Sequence, residues 1–117
     1  MARARELRVL VASDGSPAAR AALATATDLP WAGRQCVQAV VAPFAGGGRG
    51  RSAGAAAQAF ERVAAAARRT LAARWTDADA VVATGAPHAA ILSRARAFRA
   101  DLVVVGWRGH GTFRRLI

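Results

Sequence analysis

Four segments of the chain are apolar almost without a break, and the segments between them repeat apolar residues every three or four positions. The first, "LRVLVA" from Leu7 to Ala12, is short and valine-rich and runs into the turn signal "SDGSP". That pattern predicts a buried strand. Ser16-Pro17 then opens a helix, because a serine oxygen accepts hydrogen bonds from free N–H groups and proline suits the first helical position. In "PAARAALATATDL", Ala18, Ala22 and Ala26 share a face, and Leu29-Pro30 ends the helix. "QCVQAVVA" predicts a second strand. "AAAQAFERVAAAARRTLAARW" is the longest helical segment. Its Phe60, Val63, Ala67, Leu71 and Trp75 fall on one face, with Arg62, Arg68, Arg69 and Arg74 largely elsewhere and Trp75 as an anchor at the end. "AVVA" at 80–83 is a third short strand. "TGAPHAAILSRARAFRAD" predicts a turn and then a helix with Pro87 in its first turn and a buried stripe of Ile91, Leu92, Ala95 and Phe98. "LVVVG" closes the series, apolar throughout, as suits a parallel strand covered on both faces.

Strands that alternate with helices give an α/β fold with a mostly parallel open sheet and right-handed crossovers. The expected architecture is a three-layer α/β/α sandwich of Rossmann-like kind with four strands. At 117 residues, with no internal repeat and no linker, it reads as a single domain over 1–117. In such sheets ligands sit beyond the carboxyl ends of the strands, where the strand order reverses. Two turns are placed to meet there: "ASDGSP" after the first strand and "GWRGHG" after the fourth.

Composition changes the picture little. Apolar residues make up 54% of the chain, many of them alanine, so the core is built of small side chains. No apolar run approaches the roughly 18 residues of a membrane helix, and the amino terminus lacks the pattern of a signal peptide. The expectation is a cytoplasmic protein without membrane contact. The formal net charge is +10, and all 17 basic residues are arginine. They are spread along the chain, together with much Ala and Gly and no Lys or Tyr, as compositional bias would leave them. Nucleic acid is therefore not the expected partner. Arginine-driven binding to it would be nonspecific and would collapse steeply with salt. Cys36, the one cysteine, sits in an apolar stretch and reads as a small buried hydrophobe. "PFAGGGRGRSAGA" reads as a glycine-rich loop.

The candidate chemistry lies in the two turns. Asp14 can accept hydrogen bonds from a ribose hydroxyl or a base amino group, or it can bond its own turn. Gly106, Gly109 and Gly111 allow backbone N–H groups to turn inward as an anion nest, and Arg108 can add a charge-assisted contact. There is no Walker-type lysine. Trp107 in the same turn is either a loop aromatic or a stacking surface. His88 and His110 have no metal-ligand spacing around them, and no nucleophile–base pair or carboxylate pair suggests catalysis.

"VLVASDGSPAARAAL" and "GAPHAAILSRARAFRADLVVVGWRGHGTFRRLI" resemble the universal stress protein family, and the likeness extends over essentially the whole chain. The resemblance implies an adenine-nucleotide-binding α/β sheet, and many members bind ATP through G-x2-G-x9-G-[ST]. It implies that Gly106 and Gly109 are the first two glycines and Asp14 the acidic residue near adenosine. It makes Ala12 and Ser13 the backbone neighbours of Asp14, Val40 the residue that packs on adenine, and Val105 and Arg108 the flanks of the phosphate turn. The third glycine of the pattern would fall two positions beyond Ile117. The expectation is thus a domain shortened at its carboxyl end, with the last helix and fifth strand missing and the fourth strand left as an apolar edge.

The function implied is ATP binding, with or without Mg2+, in a stress response, without enzymatic turnover beyond incidental hydrolysis. A different class stays open beside it: a module that binds no nucleotide and associates, as a homo-oligomer or with a partner protein, through the exposed fourth strand and the arginine-rich surface. A shortened product with no function of its own is a further alternative.

Overall fold

The computed structural model describes residues 6–42 and 53–106. In chain order these form β1 (Leu7–Ser13), α1 (Pro17–Asp28), β2 (Gln35–Val41), α2 (Ala53–Ala72), β3 (Asp79–Val82), α3 (Pro87–Phe98) and β4 (Leu102–Val105). The strands make one sheet in the order β3-β2-β1-β4, parallel at every pairing. Two crossovers step one way across the sheet, and the third returns past β1. Right-handed crossovers then place α1 and α2 on one face and α3 on the other. The three-layer α/β/α expectation holds.

Strand alternation divides the core into two halves. Val9 and Val11 of β1 face Leu23 and Ala26 of α1 and Ala67 and Leu71 of α2. Leu10 and Ala12 face the opposite way and pack with Val40 of β2 and Phe98 of α3. β1, with strands on both sides and helices on both faces, is the most enclosed element: Val9, Leu10 and Val11 are each 0% exposed. Gln38, buried among apolar neighbours on the α3 face, is satisfied by Arg94, whose Nε donates to its Oε1 at 2.7 Å. That bond is needed, because a buried amide without a partner costs about 1–3 kcal/mol.

Arginine and tryptophan lock the end of the sheet where the strands begin. Arg8 Nε donates to the Phe98 carbonyl at 2.6 Å, and its guanidinium lies 4.2 Å from the centroid of the Phe98 ring. The positive charge meets the carbonyl end of α3, where the helix dipole favours it. The Arg8 amide also donates to Asp101 Oδ2 at 2.9 Å, and the Asp101 amide returns a bond to the Arg8 carbonyl at 2.7 Å. On the other face, Trp31 and Trp75 meet edge to face with centroids 6.0 Å apart. Trp31 Nε1 donates to the Ala26 carbonyl at 2.7 Å, and Trp75 Nε1 to Gln35 Oε1 at 3.1 Å. Arg74 Nη1 caps α1 through the Leu29 carbonyl at 2.9 Å. Arg8 and Arg74 therefore act as helix-end clamps.

Two expectations are corrected. Leu92 does not belong to the buried stripe of α3; it is 56% exposed, and Ala90 is buried instead. The helix turns Ala90, Ile91, Ala95 and Phe98 to the sheet, and Leu92 falls just outside that arc. β4 is not covered on both faces, as its apolar run alone suggested, but is the exposed apolar edge that the family resemblance implied. Leu102, Val103 and Val105 are 41%, 37% and 43% exposed, because among the described strands β4 is an edge. Cys36 is half-buried against the α3-side core. Among the described residues, no helix is long and apolar enough to cross a membrane.

Leu71→Ala should lower the unfolding free energy by about 2–5 kcal/mol, as large-to-small changes in a closed core do. Leu92→Ala should change it by less than about 0.5 kcal/mol. Urea denaturation followed by tryptophan fluorescence reads both.

Candidate functional site

The strand order reverses between β1 and β4, and their carboxyl ends open into one crevice. The register sets Ala12 beside Val105 on one side and beside Val40 on the other. Ala12, Ser13 and Asp14 enter the crevice from β1, and Val105 and Gly106 from β4. Pro87 and Ile91 close it from α3, and Ala42 closes it from the end of β2. The enclosed volume is about 90 Å³. Small-molecule sites usually span about 300–1,000 Å³, so the crevice formed by the described residues is smaller than a typical complete site.

The turn after β1 is built from its own side chains. Ser13 Oγ accepts from the Gly15 amide at 3.2 Å, and Asp14 Oδ1 accepts from the Ser16 amide at 2.8 Å. Ser16 Oγ then accepts from the Ala19 amide at 3.2 Å and caps α1. Gly15 has φ +83°, a conformation open to glycine at little cost. A Cβ there would come within 2.9 Å of Val63 Cγ2 on α2. Arg20 Nη1 donates to the Gly15 carbonyl at 3.0 Å and buttresses the turn from outside. Asp14 thus performs the local role open to any turn aspartate. Only Oδ1 is engaged; Oδ2 takes no hydrogen bond from the described residues.

Gly106 is set by packing. A Cβ on it would run into the Ala18 carbonyl oxygen, and would stand 2.6 Å from the Ala18 carbonyl carbon and 2.7 Å from the Ala19 Cα. The end of β4 therefore lies directly against the backbone of the first turn of α1, an approach only glycine permits. Two helices begin at the crevice, α1 at Pro17 and α3 at Pro87, and α3 has no side-chain cap. The positive ends of both helix dipoles make the crevice favourable to an anion. Among the described residues no group of three or more His, Cys, Asp or Glu side chains is placed to hold a metal.

Five of the eight residues singled out from the sequence come together here: Ala12, Ser13, Asp14, Val105 and Gly106. Val40 does not line the crevice. It is 0% exposed in the core beneath, packed with Leu10, Ala12 and Phe98. Ala42, two residues on and on the same side of the strand, takes the lining position. Arg108 and Gly109 lie outside the described residues, as do Trp107, His110 and Gly111. Sequence reasoning missed Ala19, Ala42, Pro87 and Ile91 as lining residues. Period-two alternation from Val40 was the available signal for Ala42; nothing local marked Ile91.

Residues 7–117 match the sequence model of the universal stress protein family. The chain belongs to that family. Among solved structures, the fold resembles that of protein Rv1636 from Mycobacterium tuberculosis, with TM-score 0.66 and 24% identity over 99% of this chain and 83% of that one. A protein from the universal stress protein family of Burkholderia pseudomallei gives TM-score 0.62 and 26% identity over 93% of this chain and 86% of that one. No curated protein sequence matches. Family membership supports a role in stress response.

Gly106→Ala should lower stability by about 1–3 kcal/mol, the usual cost of overpacking, with no nucleotide present. Thermal unfolding of the ligand-free variant measures this. An unchanged midpoint would mean that the turn moves freely away from α1.

Proposed function

We propose that this universal stress protein family chain binds an adenine nucleotide, ATP alone or with Mg2+, at the crevice between β1 and β4. The observation that carries the proposal is the convergence of Asp14 and Gly106 from opposite sides of the strand reversal, at the starts of two helices. In this proposal Asp14 Oδ2 accepts a hydrogen bond from the ribose or the adenine amino group. The backbone at Ala12 and Ser13 flanks the adenosine, and Val105 and Ala42 supply apolar contact. The phosphates run along the turn that starts at Gly106, with Arg108 and Gly109 as their proposed partners. Val40 holds Ala12 in place from the core. No catalytic residue is assigned, and the family is generally non-enzymatic.

Isothermal titration calorimetry with ATP tests the proposal. Asp14→Asn keeps the oxygen that bonds the Ser16 amide but replaces the second acceptor by an NH2 donor. It should preserve folding and weaken ATP binding about tenfold or more, the effect of losing a charged hydrogen bond. Equal affinity in the wild type and Asp14→Asn would remove Asp14 from the site. No binding by the folded wild type would remove the nucleotide.

One observation favours a second function: β4 exposes Leu102, Val103 and Val105 along an edge among the described strands. Unpaired apolar edges template pairing with another chain. In this alternative the chain is an interaction module. Light scattering should then report a dimer or larger species whose mass is indifferent to ATP, and Val103→Lys should shift it to monomer.

A further inference from the structure

On the opposite face from α3, a second cavity of about 290 Å³ lies between α1 and α2. Its floor is apolar: Leu23 from α1, and Ala59, Val63, Ala66 and Ala67 from α2. Two guanidinium groups, Arg20 and Arg62, stand in its lining with Ser13 and Thr70, and no carboxylate does. Arg20 spends one nitrogen on the Gly15 carbonyl. The Arg62 side chain, on the exposed side of α2, makes no hydrogen bond or ion pair with any described residue. Ser13 is 4% exposed, and its Oγ accepts from the Gly15 amide, which leaves its hydroxyl proton without a described acceptor.

Ala59, Ala66 and Ala67 leave room where larger residues would have closed the helix pair. The volume lies at the lower edge of the range for small-ligand sites, about 300 Å³. An apolar groove open to solvent, with two exposed arginines and no carboxylate in its lining, complements one kind of molecule. Such a molecule has an apolar tail long enough to cover Leu23 and Val63 and a single anionic head to pair with arginine. Guanidinium forks match a carboxylate or a phosphate in the same way.

We propose that the α1–α2 cavity is a binding site for a small amphipathic anion, with Arg62 and Arg20 as its head-group residues. The site is separate from the crevice between β1 and β4 and does not depend on nucleotide binding there. Only Ser13 borders both cavities.

Calorimetric titration of the intact chain with octanoate, and in parallel with octyl phosphate, tests the site and distinguishes the two head groups. Saturable binding of one equivalent of either is expected. Arg62→Gln, at an exposed position, should weaken it about tenfold or more through loss of a charge-assisted contact. Neutral 1-octanol should bind the wild type and Arg62→Gln alike. Ala66→Phe, which fills the chamber, should abolish binding of all three, with folding verified by circular dichroism. No saturable binding of either anion to the wild type overturns the proposal. So does an affinity untouched by both Arg62→Gln and Ala66→Phe.

Discussion

β1 is enclosed on four sides: β2 and β4 pair with its edges, and the α1–α2 layer and α3 cover its faces. Val9, Leu10 and Val11 therefore have no solvent contact at all. Burial of such side chains contributes roughly 1.5–3 kcal/mol each, and a parallel strand buried on both faces has no freedom to slip in register. That enclosure also fixes where β1 ends. Ser13 and Asp14 emerge between β2 and β4, where the connection from β1 turns to one face of the sheet while α3 returns on the other. The crevice is a consequence of this topology, since no helix can cover the point at which the crossovers part.

The residues at the crevice do two jobs. Asp14 holds the turn through the Ser16 amide and leaves its other carboxylate oxygen without a hydrogen bond from the described residues. Gly106 allows β4 to end against the backbone of α1, and it starts the turn proposed for phosphates. A glycine at such a place is required by packing before any ligand is considered. A binding defect in a Gly106 variant would not by itself identify a phosphate contact, whereas Asp14→Asn separates the turn from the charge.

The arginines show a similar division. Arg8, Arg74 and Arg94 are engaged by carbonyls or by Gln38, and two of them lie over aromatic rings. Their aliphatic stems and planar heads suit helix ends and buried amides better than lysine would. Arg62 differs from these three in lining a cavity without a described partner. A basic composition thus resolves into structural clamps and a smaller set of groups available to an anion.

Much of the fold was legible in the sequence. Valine-rich runs bounded by Gly, Pro, Ser and Asp favour short strands, and Ser16-Pro17 starts a helix by local hydrogen bonding and a preset φ. The α2 stripe from Val63 to Leu71 followed from helical period alone. These features depend on neighbours within a few residues, so the chain by itself determined them, as it did the turn chemistry of Asp14. Tertiary structure decided the rest. It set Val40 in the core and Ala42 at the crevice, exposed Leu92 and the β4 valines, and pressed Gly106 onto α1. It also brought Arg20 and Arg62 to one groove from positions more than forty residues apart in the chain. The physical reason is the same in each case. Which face of a strand is covered, and which backbones touch, depends on the order of strands in the sheet, and that order is set by contacts between residues far apart in sequence.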